Sequence, residues 1–348
     1  MPQSTAAAGL PVLLLYNVDP AWALHEREEV VRETQRLGSA LEERGHPVTV
    51  IPIVDENLSA QLEPFHHDDY IVFNWCECLP GISHSEAHVA EMLESLDFTF
   101  TGADSEALAL SQDKALVKEL FATHNIPTPH WAVYENANAD GWECFPAIVK
   151  PAYEHCSIGI TQEAVVMSKN ELQERLSHVL ETYQQPALVE DFIDGREFRA
   201  SLWGNRSPSL LPIAEMSFAA FPDVRERLCT YESKFDPASL HYQQIETLLP
   251  APLRQDEYRL LCETAMAAYS VLKCRDYGRI DLRLRDGVFY VLDVNPNPDL
   301  SNDASMAYAA ESAGVSYGAL GSLLVALAAC RHPLLRHHGT ALVQTQGK

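Results

Sequence analysis

Two aspartates, an asparagine and an arginine alternate with the spacing of one strand face near the C-terminal end of the chain. Arg279 and Asp281 precede the Asp-Gly pair at 286–287, and Asp293 and Asn295 follow it. Period-two alternation on both sides of Asp-Gly predicts a β-hairpin. Carboxylate and amide oxygens are the hard ligands that Mg²⁺ prefers, usually together with substrate phosphates. The alternative is a solvated strand face with ordinary surface charges.

The length of the hairpin loop decides whether these two aspartates share a face. A two-residue turn at 286–287 pairs Arg285 with Val288 and places the aspartates on opposite faces. A three-residue loop, 285–287, pairs Leu284 with Val288 and places them on one face, with glycine in the left-handed position. We predict the three-residue loop, because it also collects the aliphatic side chains on the other face.

The size, charge and cysteine content of the chain limit its function. Its 348 residues suggest two or three domains or subdomains around a sizeable core. A net charge of −24 argues against binding to a nucleic-acid backbone but permits a few local cations at a nucleotide site. The eight cysteines lack the spacing of zinc or redox motifs, so we expect free thiols in a reducing cytoplasm. The apolar run 318–330 is too short to span a bilayer and predicts a core helix.

The elements that must position the hairpin begin with alternating strands and helices. Strands are expected at 11–16, 48–54 and 69–74, with a helix at 24–44 after the first strand. This β-α-β order indicates a parallel sheet of nucleotide-fold type. A glycine-rich dinucleotide fingerprint does not follow the first strand, so we do not assign NAD.

Lysines in the middle of the chain are candidates for anion binding. Lys150 ends a predicted strand at 145–150 beside a loop, which places it to reach an anion. Lys114 and Lys118 lie four residues apart on one face of a predicted helix at 111–124. For Lys118 we expect contact with solvent only.

Three stretches together resemble the ATP-grasp superfamily, and within it the D-alanine–D-alanine ligases and their relatives. They are TGADSEALALSQDK at 101–114, VLDVNPNPDLS at 291–301 and AESAGVSYGALGSLL at 310–324. The resemblance covers roughly residues 74 to 327 and is specific because separate pieces recur in the same order. It implies an α/β chain with α+β subdomains. The implied domains are an N-terminal Rossmann-like preATP-grasp domain at 10–104, a central ATP-grasp subdomain with a lid at 105–200, and a C-terminal catalytic subdomain at 201–335.

The activity that the resemblance implies is ATP-dependent amide formation. In this family ATP activates a carboxylate as an acyl phosphate, which an amine then attacks. ATP and Mg²⁺ (or Mn²⁺) are therefore the expected cofactors. The expected partners are small-molecule carboxylate and amine substrates and, as one option, a second copy of the chain in a homodimer. Neither nucleic acid nor membrane is an expected partner.

The resemblance also implies roles for individual residues. Asp281, Asp293 and Asn295 match the metal positions, although family members more often have glutamate at the second. Arg279 matches the arginine that faces the transferring phosphoryl group, where fixed positive charge stabilises the transition state. The nucleotide positions are Lys114, Lys150 and Lys234 for the phosphates, Ser157 in the phosphate-covering loop, Glu190 for the adenine amino group, Glu197 for the ribose hydroxyls, and Phe192 and Leu292 for the adenine ring.

The departures from the family concern its amino-acid substrates. His155 and Cys156 stand in a loop that is normally rich in glycine and serine, and Phe235 replaces a tyrosine. Asp299 replaces a glycine whose backbone N–H faces the developing oxyanion; the Asp299 N–H can still donate, but its carboxylate adds charge nearby. Ala304 replaces the serine that receives the acceptor's carboxylate, and Ser301 and Ser305 are candidate substitutes for it. The polar candidates for recognising another substrate are Asp19, Glu77, Glu86 and His155.

We therefore predict a carboxylate–amine ligase whose substrates are not two D-alanines. One alternative is a true D-alanine–D-alanine ligase with a rebuilt substrate site. An alternative of another class is an ATP-binding sensor or scaffold that lacks ligase activity.

Overall fold

The computed structural model describes residues 9–155 and 157–346, and within them the chain forms three sheets with helices packed on them. The predicted α/β class is confirmed. The strands are β1 (Val12–Asn17), β2 (Val48–Ile53), β3 (Ile71–Trp75), β4 (Trp131–Tyr134), β5 (Ala147–Pro151), β6 (Val165–Val166), β7 (Ala187–Asp191), β8 (Arg196–Trp203), β9 (Ser209–Leu210), β10 (Ala214–Ser217), β11 (Glu246–Leu248), β12 (Tyr277–Arg285) and β13 (Val288–Asn295). The helices are α1 (Leu24–Glu43), α2 (Leu58–Leu62), α3 (Glu86–Ser95), α4 (Ser105–Gln112), α5 (Lys114–Thr123), α6 (Lys169–Tyr183), α7 (Glu232–Phe235), α8 (Leu240–Gln244), α9 (Gln255–Val271), α10 (Ser305–Ser312), α11 (Tyr317–Ala329) and α12 (Arg336–Gln346).

The N-terminal sheet is parallel, with the order β2-β1-β3. Its central strand β1 reads VLLLYN and is buried along its whole length, as expected for a strand covered on both faces. Phe100 adds a single parallel bridge to Val72 of β3. This sheet carries the loop at residues 76–85 toward the end of the hairpin.

Two further sheets face each other across the middle of the molecule. The four-stranded sheet has the order β4-β7-β5-β6, and the larger one has the order β11-β10-β8-β12-β13, with β9 paired to β8. The amphipathic helix α9 covers the outer face of the larger sheet, where Leu261 and Ala265 share a buried cluster with Ile280 and Leu282. Each sheet therefore buries one face and leaves the other for a cleft.

The hairpin β12–β13 has a two-residue turn, so the predicted three-residue loop is wrong. Arg285 pairs with Val288. Asp286 and Gly287 have φ values of 52° and 77°. Two successive positive φ values are typical of the type I′ turn, whose twist matches that of the flanking strands. The preference of Asp-Gly for a two-residue turn thus determines the loop length here, and the alternation of aliphatic residues does not.

A β-bulge restores the shared face that this turn alone would have removed. Leu282 pairs with Val291, whereas Asp281 pairs with Asp293, so Leu292 is the extra residue on β13. The two aspartates therefore lie opposite each other on one face, for a different reason from the one that the sequence suggested.

The helix predicted at 111–124 is the second of two helices that meet at Asp113. The Asp113 carboxylate accepts a hydrogen bond of 3.0 Å from the backbone N–H of Leu116 and caps α5. Lys114 is consequently the first residue of α5 rather than a residue in mid-helix.

The apolar run near the C-terminus forms α11, the core helix that was predicted. Its residues 320–329 are buried, and Leu324 shares a core cluster with Leu37 and Leu41 of α1. Among the described helices, none alone combines the length and the apolar composition needed to cross a bilayer; α10 and α11 meet that test only as a pair, which is bent by 105°.

Candidate active site

A cleft lies between the four-stranded sheet and the larger sheet. It holds about 910 Å³ of empty space, with the solvent at its mouth included, which is the size of a small-molecule site. Strands β5 and β7 form one wall, and β8, β12 and β13 form the other. Ten of the residues predicted from the sequence line it: Lys114, Lys150, Ser157, Glu190, Phe192, Glu197, Lys234, Asp281, Leu292 and Asp293.

The other two predicted residues lie one row further along the hairpin. Arg279 and Asn295 are directly opposite each other on β12 and β13. Arg279 forks the carboxylate of Asp281, with hydrogen bonds of 2.8 and 3.0 Å from Nε and Nη2. The structure thus brings Arg279 to a residue of the cleft.

The register of the larger sheet explains why these side chains converge. Asp281 has Arg199 opposite it on β8 and Asp293 opposite it on β13. One row nearer the turn, Arg283 faces Glu197 and donates a 2.8 Å hydrogen bond from Nε to its Oε2. Opposite charges therefore alternate along β8 and β12 and across this pair of strands, which stabilises neighbouring pairs, whereas Asp281 and Asp293 across β12 and β13 carry like charge.

Asp281 lies in a strongly cationic setting. Burial alone would raise its pKa, but the charges of Arg279, Arg199 and Lys234 outweigh burial and lower the pKa. Burial in turn lowers the pKa of Lys234, and the two arginines lower it further. The carboxylate is consequently ionised at neutral pH and available to a cation.

Glu190 joins two lysines at the bottom of the cleft. The side chain is 1% exposed and pairs with Nζ of both Lys118 and Lys150. Burial would raise the pKa of Glu190, but the two lysines reverse that effect and lower it. The expectation that Lys118 contacts only solvent is wrong, because its side chain is 3% exposed and also donates a 2.7 Å hydrogen bond to Thr128 Oγ1.

The described residues of the loop at 152–159 include several that line the cleft, and two of them contact predicted phosphate lysines. Lys114 Nζ donates to the carbonyl oxygen of Glu154, and Lys234 Nζ donates a 2.9 Å hydrogen bond to Ser157 Oγ. Ser157 has a φ of 63° and donates to the carbonyl of Cys229. Cys156, like the side chain of Phe235, lies outside the described residues.

His155 places an imidazole in the same cleft. Its Nε2 is buried and has no hydrogen-bond partner among the residues that the structure describes. Burial, with the charge of Lys114 as the second cause, lowers the pKa of His155 to about 4. The ring is therefore neutral at physiological pH.

Acidic residues gather where the hairpin leads into the next loop. Glu86 accepts a 2.7 Å hydrogen bond from Asn297 Nδ2, and Tyr277 donates to Oδ1 of the same asparagine. Burial raises the pKa of Glu86 to about 7, and the exposed Glu77 lies near both Glu86 and Asp299. Asp19, the remaining acidic candidate, accepts from the backbone N–H groups of Ala21 and Gly81 and holds two loops together.

The loop before α10 carries the substitutions expected at the acceptor position. Asp299 accepts hydrogen bonds from the backbone N–H and the hydroxyl of Ser301, at 2.8 and 2.6 Å. Ala304 is the N-cap of α10, a position at which its methyl group cannot accept a hydrogen bond. The hydroxyl of Ser305, one residue later, accepts a 3.1 Å hydrogen bond from Arg199.

Sequence reasoning missed two arginines of the cleft and misjudged Lys118. Arg199 and Arg283 lie two residues from Glu197 and Asp281, so strand alternation places them on the same faces as those residues. The same periodicity that selected their neighbours would therefore have found both arginines. Lys118 shares a helix face with Lys114, but its burial against Glu190 cannot be read from that periodicity.

The oxygen donors of the hairpin fit Mg²⁺ or Mn²⁺. Asp281, Asp293 and Asn295 offer two carboxylates and an amide, which are hard ligands for these ions. Two carboxylates directly opposite each other repel unless a cation lies near them. The cleft also fits a nucleotide, because Phe192 and Ile148 provide an apolar wall at one end and the lysines provide positive charge at the other.

Comparison with known proteins identifies similar chains. The family described as D-ala D-ala ligase C-terminus matches residues 120–326. An uncharacterised protein of Sinorhizobium fredii, y4sG, is 33% identical over 290 residues, which make up 81% of this chain and 83% of that protein. A D-alanine–D-alanine ligase of a Marinomonas strain is 31% identical over 301 residues, which make up 85% of this chain and 89% of the ligase.

Solved structures are similar in fold. The crystal structure of the D-alanine–D-alanine ligase of Bacillus anthracis complexed with ATP matches with a TM-score of 0.70. The sequence identity is 19%, and the match covers 92% of this chain and 97% of the other. A second structure of the same Bacillus anthracis enzyme matches with a TM-score of 0.68. The ATP-grasp fold predicted from the sequence is therefore confirmed.

Proposed function

The chain belongs to the D-alanine–D-alanine ligase family of ATP-dependent ligases that form C–N bonds, and we propose that it joins a carboxylate and an amine other than two D-alanines. ATP and Mg²⁺ (or Mn²⁺) are the proposed cofactors, and an acyl phosphate is the proposed intermediate. The substrates are amino acids or other small carboxylates and amines.

The observation that carries the proposal is the difference between the positions that match the family and the positions that depart from it. Ten predicted nucleotide and metal residues converge on one cleft. Beyond Asn295, the positions that hold amino-acid substrates in the family are occupied by Asp299 and Ala304, and His155 projects into the cleft from the covering loop. The backbone N–H of Asp299 can still donate as that of a glycine does, but its carboxylate adds negative charge at this position. The methyl group of Ala304 cannot form the hydrogen bond of a serine hydroxyl.

The residues of the cleft have distinct tasks in this proposal. Lys114, Lys150 and Lys234 donate hydrogen bonds to the nucleotide phosphates, and Lys114 and Lys234 exchange their present contacts with the covering loop for those phosphates. Arg279 holds Asp281 in a fixed, ionised position and presents positive charge to the reacting groups. When bound, ATP supplies the phosphoryl group that makes the carboxylate reactive, and Mg²⁺ neutralises phosphate charge.

The acidic region beyond the hairpin suits the amine substrate. Glu86 has a pKa raised to about 7, so it can take up or release a proton near neutral pH, and the exposed Glu77 adds a second carboxylate nearby. A carboxylate beside a charged ammonium group favours its binding, and a carboxylate beside the attacking amine can accept its proton. Asn297, which binds Glu86, connects this region to the hairpin.

The experiment that tests the proposal is a screen of ADP release over pairs of amino acids and small carboxylates, with ATP and Mg²⁺ present. The Asp281→Asn variant provides the blank for each pair. We expect at least one pair other than two D-alanines to release ADP together with a condensed product, identified by mass spectrometry. If nucleotide binds but no pair in the panel releases ADP, the alternative of an ATP-binding sensor or scaffold replaces the proposal.

A further inference from the structure

Arg199 is a residue of the cleft to which the family resemblance assigns no role. It lies on β8 opposite Asp281, two residues beyond Glu197, and lines the cleft. Its Nη1 donates a 3.1 Å hydrogen bond to Ser305 Oγ at the first turn of α10. Arg199 therefore spans the gap between the row of Asp281 and Asp293 and the loop where the family positions begin to differ.

The neighbourhood of Arg199 has an excess of positive charge. Three cationic side chains, those of Arg199, Arg279 and Lys234, act on the single carboxylate of Asp281. Both oxygens of that carboxylate already accept hydrogen bonds from Arg279. Since burying unpaired positive charge is costly, this arrangement suits an anion that enters from the cleft.

Arg199 also has an unused donor. Its Nε is buried and has no hydrogen-bond partner among the described residues. A buried guanidinium N–H without a partner carries a desolvation cost that a bound anion relieves. Arginine is suited to phosphate because its planar fork donates two parallel hydrogen bonds.

We propose that Arg199 is a binding residue for the terminal phosphoryl group of ATP, additional to the family's lysines and to Arg279; this inference rests on the proposed function. Along β8 the position follows Glu197, the proposed ribose contact, and it shares a row with the proposed metal ligands Asp281 and Asp293. The end of the triphosphate that meets this row is the terminal one. Its transfer breaks one P–O bond, whose electron pair stays on ADP, and forms one P–O bond to the substrate carboxylate, while Arg199 neither gives nor takes a proton.

Titration calorimetry with two nucleotides tests this proposal. ADP and the non-hydrolysable analogue AMP-PNP, each with Mg²⁺, are titrated into the wild-type chain and into Arg199→Met. We expect the affinity for AMP-PNP to fall by about 10- to 100-fold, the range that corresponds to a hydrogen bond with a charged group. The affinity for ADP should stay within about twofold, because ADP lacks the group that Arg199 binds.

A matched control is available on the same strand. Arg196 forms a two-point pair with Glu215, at 2.8 and 2.6 Å, and does not line the cleft. Arg196→Met should leave the affinities for both nucleotides unchanged. If Arg199→Met fails to bind ADP because it does not fold, the polar and neutral variant Arg199→Gln takes its place. It is judged by the ratio of its affinity for AMP-PNP to its affinity for ADP.

The outcomes separate this inference from the proposed function. A wild-type chain that binds neither nucleotide would overturn both. If the wild type binds both nucleotides and the neutral variants keep the same ratio, only the role of Arg199 is overturned. An unchanged ratio with a raised KM for the amine substrate would assign Arg199 to a carboxylate of that substrate instead.

Discussion

The lysines of the cleft and Glu86 beyond the hairpin carry opposite charge, and burial shifts their pKa values in opposite directions. In the cleft, burial lowers the pKa values of Lys114 and Lys234. Beyond the hairpin, burial raises the pKa of Glu86 to about 7, and the exposed Glu77 and Asp299 add negative charge nearby. In each region burial disfavours the charged form of these side chains, and a ligand of the opposite charge favours it. The comparison supports the proposed polyanion site in the cleft and the proposed amine site beyond the hairpin.

The match to the family's sequence pattern also differs between the cleft and the region beyond the hairpin. The lysines, Glu190 and the hairpin aspartates occupy positions that the resemblance assigns to ATP and metal. Around Asp299 and Ala304 the residue types change. The residues proposed for activation and those proposed for substrate recognition therefore lie in neighbouring regions, and substitutions in each should have separable effects.

The largest loss of activity is expected for Asp281→Asn, in the hairpin. This change removes a proposed metal ligand and the carboxylate that Arg279 forks. Metal-dependent ADP release should fall by about 100-fold or more. Asp194→Asn, which weakens a surface pair with Arg227, should retain activity. Full activity in Asp281→Asn would mean that the metal ligands lie elsewhere.

The next effect concerns stability at the nucleotide end. Lys118→Met leaves Glu190 buried with one lysine instead of two, so the free energy of unfolding should fall by about 3 kcal/mol. Urea unfolding measures this loss. Lys169→Met, which breaks an exposed pair with Asp140, should cost well under about 1 kcal/mol. Equal small losses in the two variants would contradict the buried pairing of Lys118.

A pH-dependent effect is expected in the acidic region beyond the hairpin. The pKa of Glu86 is raised from 4.5 to about 7 in the folded chain, so between these values the folded state binds more protons than the unfolded state. The stability that the protonated Glu86 provides is complete below about pH 4.5 and is lost as the pH rises through about 7. Glu86→Gln should therefore be more stable than the wild type at pH 8, by on the order of 1–3 kcal/mol, and similar to it near pH 4.5.

Thermal unfolding of the two proteins at a series of pH values measures this difference. His88→Gln serves as a control on the same helix, because that side chain is exposed and pairs only weakly with Glu91. A difference between wild type and Glu86→Gln that does not change with pH would show that Glu86 is not the titrating group.

The smallest expected effect is a loss of ADP affinity on substitution of the bulge residue, Leu292. Leu292 lines the cleft next to Asp293, so Leu292→Ala should weaken ADP binding by about two- to fivefold through lost apolar contact. Val288→Ala, near the turn of the same strand and exposed, should leave the affinity unchanged. Equal affinities for wild type and Leu292→Ala would mean that the adenine ring lies elsewhere.

Much of this site could be predicted because its signals are local. Strand alternation identified both aspartates of the hairpin, and the position at a strand end identified Lys150. The bulge at Leu292 could not be predicted, because it depends on how β13 pairs with β12 rather than on the residue itself. The burial of Lys118 depends on Glu190, which is distant in sequence and becomes a neighbour only in the folded chain.

The most direct test of the central claim is ADP release with D-alanine as the sole amino acid, compared with the best pair from the substrate screen. We expect D-alanine alone to give no release above the Asp281→Asn blank, while the other pair gives ADP and a condensed product in equal amounts. Rapid ADP release with D-alanyl-D-alanine as the product would contradict the proposed change of substrate. It would show that the chain is a D-alanine–D-alanine ligase.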